Sequence, residues 1–485
     1  MKSARPDLVR SLLEIPEESQ TLEFKRVSPS SNSIVKKVCE TIVAFANTEG
    51  GVLVLGVADP EQARYRGFDR VFGIEEDKDI FDAIGREIQV IVPPLAGIWP
   101  PETIEVPEVS KTIALLHVSK ATECFRAINN EVFVRQEKSN KRLTPQEIVK
   151  FPYVKGFEKA DIELVEVDMR LLKTRMYDEW HASRPVSGAT IGDVLEKVGL
   201  ARFNGSGNLH PTRAAVMLFA EHPTDLMDTK CAIRVFQYTG KIETMKDTPN
   251  MVGVPKTISG PIVEQIRETH DYVLTLLRTG MRIPSGFTTT YQIPERPVKE
   301  AITNAVIHRD YFTKRDIEIR IFEDRIEIES PGLFPGNITT ANIGLVRSDG
   351  FRNDLLVKHL REFPSPPNLD QNEGVKAMRN GMRSENLYPP IFWTYPHLAD
   401  AVRVVLLNEK ETSEWEKVSH YLKTNKYITN RDARRVTGVV QITKMSKMFN
   451  NWVRQGLLKK ITSTSGGHRG TKYRLPNSIE IPKQR

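Results

Sequence analysis

A mixed α+β fold divided among several units is what this chain predicts, and three observations carry the prediction. Its 485 residues exceed what one core organises, at roughly 100–200 residues per domain. Stretches of helical period alternate with short runs of strand character along its length. Charge is uneven: residues 411–485 hold 16 Lys and Arg against 5 Asp and Glu, a net of +11 in a chain whose total is +7. That tail therefore predicts a polyanionic partner, DNA or RNA, because Lys and Arg displace counterions from phosphates. A composition 39% hydrophobic and 27% charged excludes disorder throughout. No window reaches the ~18 uninterrupted apolar residues of a membrane span, and the opening MKSARPDLVRSLLEIPEESQ lacks a secretory core. A cytoplasmic location without membrane contact is expected. Cys39, Cys124 and Cys231 are too few and too widely spaced for a disulfide framework or a cysteine-based metal site.

Taken in order, residues 1–152 open with a helix over 33–46, where Ile34, Val38, Ile42 and Phe45 recur at helical spacing. Asn47 to Gly51 stop it, and VLVLGV follows as a buried strand. A strand pair is expected to turn at Asn129 and Asn130, and LTPQEIVKF starts a helix at Thr144 and Pro145. Residues 153–249 predict a helix in TIGDVLEKVGL, capped by Thr190, then two strands in AAVMLFA and CAIRVFQY. In 250–408 an amphipathic helix of about 20 residues carries Ile262, Val263, Ile266, Val273 and Leu276 on one stripe. The helix RPVKEAITNAVIHRDY and the strands DIEIRIFED and RIEIES come next, with a hairpin at Glu323 and Asp324. Alternating Ile and charged residues make that pair half-exposed. The Pro-containing loop 363–373 has the composition of a mobile ligand cover. Residues 409–485 give three helices and a Gly-rich ribbon, the pattern of a winged helix-turn-helix.

Three constellations could carry chemistry. In an extended LEFK, Glu23 and Lys25 share a face while Leu22 and Phe24 point inward. With Glu18 five residues earlier and Asp59 closing the strand VLVLGV, three acids and a lysine could converge on Mg²⁺ or Mn²⁺ and a phosphodiester; plain surface carboxylates are the alternative. Glu300, Asn304 and His308 form a polar stripe at spacing four, with Asp310 just beyond, facing either a cavity or solvent. In the tail, Lys444, Lys447, Asn450, Asn451 and Arg454 would reach a nucleic-acid groove while Met445, Met448, Phe449 and Trp452 pack inward. Lys459, Lys460, His468, Arg469, Lys472 and Arg474 decorate the wing.

The runs ESQTLEFK, AFANTEGGVLVLGVADPE and VFVRQEKSNKRLTPQEI, across about residues 10–150, resemble the AlbA-like domain of Schlafen proteins. That resemblance implies a metal-dependent nuclease centre at Glu18, Glu23 and Asp59 beside Lys25. Phosphate contacts would come from Arg126, Arg135, Lys138, Lys141 and Arg142. EAITNAVIHRDY, IFEDRIEIESPGLFP and FRNDLLVKHL, within about 250–405, are similar to the divergent GHKL-type ATP-binding domain of bacterial Schlafen-like regulators. The similarity implies an α/β sandwich binding ATP. Glu300 would be the base and Asn304 a Mg²⁺ ligand, with His308, Asp310, Ser330, Gly332 and Gly374 at the nucleotide. Two departures stand out: Ser330-Pro331-Gly332 replaces the usual adenine-reading Asp-x-Gly, and the lid shrinks to Asn372-Glu373-Gly374. The expected function is a homo-oligomeric nucleic-acid-binding effector, a nuclease gated by nucleotide, in antiphage defence. The alternative is an ATP-responsive DNA-binding transcriptional regulator without nuclease activity. Family behaviour and the amphipathic helix ground the oligomer expectation.

Overall fold

The computed structural model describes residues 3–15, 17–28, 33–62, 64–244, 250–282, 288–348, 350–367, 374–461 and 471–476. The chain forms two compact units, one of Met1–Val149 with Thr412–Arg485 and one of Lys150–Glu411.

In the first unit a five-stranded sheet runs in the order Ser3–Ala4, Glu102–Val106, Lys111–Val118, Gly51–Leu55, Leu22–Lys25. Both faces are covered, which is why VLVL has no polar alternation. Leu22, Phe24, Val54, Ile113 and Leu115 pack under Val9 and Leu12 of helix Pro6–Leu13. Leu53, Leu55 and Leu116 pack against Ile42 and Phe45 of helix Ile34–Ala46. Gly50 follows that helix at φ +76°, where a Cβ would lie 2.6 Å from the Val118 carbonyl, so only glycine lets the chain turn back into the sheet. Asn47, 1% exposed, staples the end of the helix: its Nδ2 donates to the carbonyls of Arg126 and Phe133 at 2.7 and 2.9 Å.

The turn expected at Asn129 and Asn130 forms, but without the strand pair expected around it. Both asparagines take left-handed φ, 50° and 61°, but only a single bridge, Ile128 to Glu131, flanks them. The ladder pairs Phe133–Gln136 with Ser139–Arg142 around Glu137, itself at φ 54°. Asparagine tolerates that backbone and therefore dominates the turn signal; the longer ladder turns at Glu-Lys instead.

Residues 412–461 and 471–476 contribute helices Ser413–Thr424, Asn430–Thr437 and Ile442–Arg454 and a small antiparallel sheet in the order Ile428–Thr429, Lys472–Arg474, Lys459–Ile461. Thr429 and Asp432 form a capping box at the second helix, and Gly438 ends it at φ 82°. Trp415, Met445, Phe449, Trp452 and Tyr473 are buried, with Phe449 stacked on Tyr473 at 4.0 Å.

In the second unit a six-stranded sheet runs Lys256–Ile258, Ile233–Gln237, Ile317–Ile321, Arg325–Pro331, Ala401–Leu407, Ile391–Trp393. Among the described residues of this sheet, only Ile233–Gln237 and Ile317–Ile321 pair in parallel. Ile317, Ile319, Ile321, Ile326 and Ile328 enter a core that also holds Trp180 and Leu218. On the opposite face Arg320 and Arg403 pair with Glu329 at 3.4 and 2.6 Å. AAVMLFA is not a strand but the buried helix Arg213–Phe219, capped by the Thr212 side chain. A short, uninterrupted apolar run carries no period, so burial on all sides allowed either form. Thr190 does cap Ile191–Lys197, in a capping box with Asp193. The long helix is Ile262–Thr279, and its Ile262, Val263, Ile266 and Val273 lie in the same core as Ala301 and Ile302. Its stripe is occupied inside the chain and no longer argues for a second copy. Among the described residues, no helix is long and apolar enough to cross a membrane.

Candidate functional site

The acids near the amino end come together, but not in the open. Strand Leu22–Lys25 lies parallel to Gly51–Leu55, with Glu23 beside Leu53, so Glu23 points into a covered layer and is 4% exposed. Arg135 Nη2 meets its Oε2 at 2.5 Å, and Lys25 Nζ pairs with its Oε1. Arg135 is fully buried, donating also to the carbonyls of Ser19 and Glu137 and to Asn140 Oδ1. It is thereby removed from the expected phosphate contacts: its donors are spent inside the unit. Glu18 accepts from the Phe24 amide at 2.9 Å. Burial, then the nearby charge of Glu23, pushes the Glu18 carboxyl up to about 8; Asp59 adds to the rise, while Lys25 and the Phe24 amide oppose it. Asp59 accepts from the Glu61 amide at 2.8 Å. Arg70, 3% exposed, is pulled down to about 10 by burial against the attraction of Asp59 and Glu18.

Among the described residues, no group of three or more His, Cys, Asp or Glu is arranged to hold a metal ion. Glu23 is already neutralised by two cations, so Glu18, Glu23 and Asp59 do not fit a divalent ion in this arrangement. Around the cluster, Lys138 bridges Glu17 and Glu61 at 2.8 and 2.7 Å, Lys141 pairs with Glu147, and Arg142 with Glu131. Arg126 donates to Cys124.

The second unit holds a cavity of about 660 Å³. Helix Glu295–Ile307 supplies Glu300, Asn304 and, just past its end, His308; Ser330 and Gly332 close the strand side. Phe334, Ile338, Ile343, Val375 and Phe392 give it apolar walls. Burial raises the Glu300 carboxyl above its usual range, with Arg296 at 3.8 Å opposing. A Cβ placed on Gly374 would lie 2.9 Å from both Asn304 Nδ2 and Glu300 Oε2, so only a residue without a side chain packs this closely against these two groups at the cavity lining. His308 stacks on Phe351 at 5.5 Å, and its buried Nδ1 has no hydrogen-bond partner among the described residues. Burial, helped by Arg352, lowers the imidazole to about 4, so it is neutral at pH 7.

Two expected members differ. Asp310, 2% exposed, does not line the cavity; it accepts from the Phe312 amide and Thr313 hydroxyl at 2.9 and 2.7 Å, closing a turn. Ser330 donates to the Ala305 carbonyl at 2.7 Å, joining strand to helix. The apolar walls, and His270 between the Lys299 carbonyl and Thr303, were missed by sequence reasoning. Their signal, PGLFPGN for Phe334, reads equally as an ordinary loop. An apolar slot ending in a carboxylate, an amide and an unpartnered imidazole nitrogen suits a flat heterocycle with a polar, phosphorylated tail. Arg267, Arg296 and Lys299 at the lining supply positive charge for that tail.

In the tail, Lys444, Lys447 and Arg454 are exposed and Asn451 half-buried, with Arg454 donating to Asn451 at 2.6 Å. Lys472 sits over the Tyr427 ring at 3.8 Å. His468, Arg469 and the loop positions 368–373 lie outside the described residues.

Residues 18–144 match the family described as "Schlafen, AlbA_2", and residues 314–406 the family described as "Putative ATP-dependent DNA helicase recG C-terminal". Glu300, Asn304 and His308 precede the second match. No curated protein matches. Among solved structures, the DIP2311 protein from Corynebacterium diphtheriae is 18% identical over 94% of this chain and 93% of its own, with a TM-score of 0.38. The N-terminal domain of a "Putative ATP-dependent DNA Helicase RecG-related Protein" from Nitrosomonas europaea is 23% identical over 29% of this chain and 94% of its own, at 0.20. The chain thus carries a Schlafen/AlbA_2 domain followed by an ATPase-like domain of the RecG C-terminal type.

Proposed function

We propose that this chain is a nucleotide-responsive regulator that binds nucleic acid. ATP, or a closely related purine nucleotide, occupies the cavity of the second unit, and a winged helix formed by residues 412–476 engages the nucleic acid. The carrying observation is that Glu300 and Asn304, packed against Gly374, line a largely apolar cavity of about 660 Å³. The base lies between Phe334, Ile343 and Phe392, and the phosphates lie toward Asn304, Glu300 and the nearby cations. Bound nucleotide supplies a polyphosphate whose charge these groups orient. Glu300, with its raised affinity for a proton, is placed to accept one from water.

The helices Glu295–Ile307 and Gly374–Ser384 pack closely, since a Cβ on Gly381 would meet Pro297 at 2.6 Å. Ligand seated in the cavity against Asn304 and Glu300 lies beside that seam, so occupancy is felt by the packing of two helices rather than by one side chain. Support for nucleic-acid binding comes from the +11 tail and from the three-helix, three-strand module with a basic, exposed third helix. The regulator reading is favoured over the nuclease because Glu23 is neutralised by Lys25 and Arg135.

Titrating the full chain with a fluorescent ATP analogue and measuring duplex binding with and without ATP tests the reading. Saturable nucleotide binding that shifts the duplex Kd is expected. Absence of nucleotide binding, or a duplex Kd indifferent to it, overturns the reading.

A further inference from the structure

Two apolar side chains at the entrance to the third helix of the basic tail, Val440 just before its N-cap Gln441 and Ile442 as its first residue, are left in solvent. Val440 is 84% exposed and Ile442 61% exposed. Single exposed apolar residues are ordinary. These two differ in how firmly their backbone is held. Arg434 Nη1 donates to the Val440 carbonyl at 3.0 Å. Asn430 Nδ2 reaches both the Ile442 carbonyl, at 3.3 Å, and Ser446 Oγ, at 3.0 Å. Val439 between Gly438 and Val440 is 8% exposed and anchors the segment in the module's core. The preceding helix thus fixes the segment and presents two β-branched side chains outward from a rigid support.

The surroundings select the partner. Helix Ile442–Arg454 carries Lys444, Lys447 and Arg454 and no acid, and Gln441, Thr443, Lys444, Lys447 and Asn450 are exposed along it. A polyanion satisfies the cations, but it must also offer something apolar to the tip. The major groove of DNA has both: phosphates on its rims and, at each thymine, a C5 methyl on its floor. RNA has uracil in place of thymine, and its A-form major groove is too narrow for a helix.

We propose that Val440 and Ile442 read thymine methyl groups in the major groove of duplex DNA, which makes them specificity-determining residues and double-stranded DNA the partner. The inference rests on the reading of residues 412–476 as the nucleic-acid-binding module. Lys444, Lys447 and Arg454 hold the backbone, and the two aliphatic side chains choose the base step between them.

The test uses the full chain and a random-sequence duplex DNA library. Enriched duplexes are resynthesised with deoxyuridine replacing thymidine, which removes only the methyl, and Kd is measured for both. At one or two enriched positions the deoxyuridine duplex should bind about fourfold more weakly per methyl, the equivalent of one buried methyl-sized group. Val440→Ser with Ile442→Ser should erase that ratio while keeping salt-dependent binding, since both side chains are on the surface. Equal affinity for thymidine and deoxyuridine duplexes overturns the inference and leaves the DNA-binding module standing. No enrichment of any duplex, or preference for an acidic protein surface or single-stranded RNA, overturns the inference and the module together.

Discussion

Arg135 Nη2 lies 2.5 Å from Glu23 Oε2, with 1% and 5% of the two side chains exposed. The sequence offers one as a phosphate contact and the other as a catalytic acid, yet each is the other's partner, packed beside the Phe45 ring at 5.2 Å. Breaking a buried ion pair leaves a charge without compensation, which costs about 3–5 kcal/mol. Glu23→Ala should therefore destabilise the first unit by roughly that amount, since it leaves buried Arg135 without a counter-charge, and Arg135→Ala by somewhat less on this account because Lys25 still pairs with Glu23. Urea unfolding measures both, and the double variant Arg135→Met, Glu23→Met should lose less than the sum. A cleavage defect in Glu23→Ala is informative only beside that measurement.

Glu18 makes stability depend on pH. Its carboxyl keeps a proton up to about 8 in the folded chain, against 4.5 for the ordinary group. Unfolding in that window releases the proton. The stabilisation is complete below about 4.5 and is lost as pH rises through 8. Glu18→Gln can keep the bond from the Phe24 amide and cannot ionise. Thermal unfolding across pH 5–8.5 should show the variant gaining on the parent as pH rises. Parallel curves would mean the acids are not crowded.

Asn304 and Gly374 meet at the cavity lining. Asn304→Ala should weaken nucleotide binding by about tenfold, the cost of one polar contact of ~1.4 kcal/mol. Gly374→Ala places a methyl 2.9 Å from Asn304 Nδ2 and Glu300 Oε2, flexible ends that can swing aside. Its melting temperature should hold while nucleotide affinity falls. Titration calorimetry paired with thermal scanning separates the two effects.

Gly85 sits where helix Lys78–Ile88 crosses Trp99, and a Cβ there would fall 2.4 Å from the indole. The indole is braced by Phe81 at 5.0 Å and cannot swing like a chain end. Gly85→Ala should destabilise by about 1–3 kcal/mol despite alanine's better helix propensity. Urea midpoints decide it; a stabilised variant would show that the ring moves freely.

Periodicity alone located the helix Ile34–Ala46, the hairpin strands Ile317–Ile321 and Arg325–Pro331 and the three tail helices, because each buries one face and the spacing of apolar residues records it. It also put Glu300 and Asn304 on one helical stripe, since four residues make one turn. Arg213–Phe219 was misread because burial on every side erases the period. What a charged residue faces is not a local property. Glu23 alternates with apolar neighbours as a surface residue does, but the second sheet face is covered, and Arg135, 112 positions away, arrives by folding to neutralise it. Asp310 likewise turns from the cavity to close its own loop. The sequence by itself determined the elements and their chemistry, through spacing and composition. Only the tertiary structure decided which charges meet each other and which remain for a ligand, because pairing depends on contacts between distant segments and on the water that packing excludes.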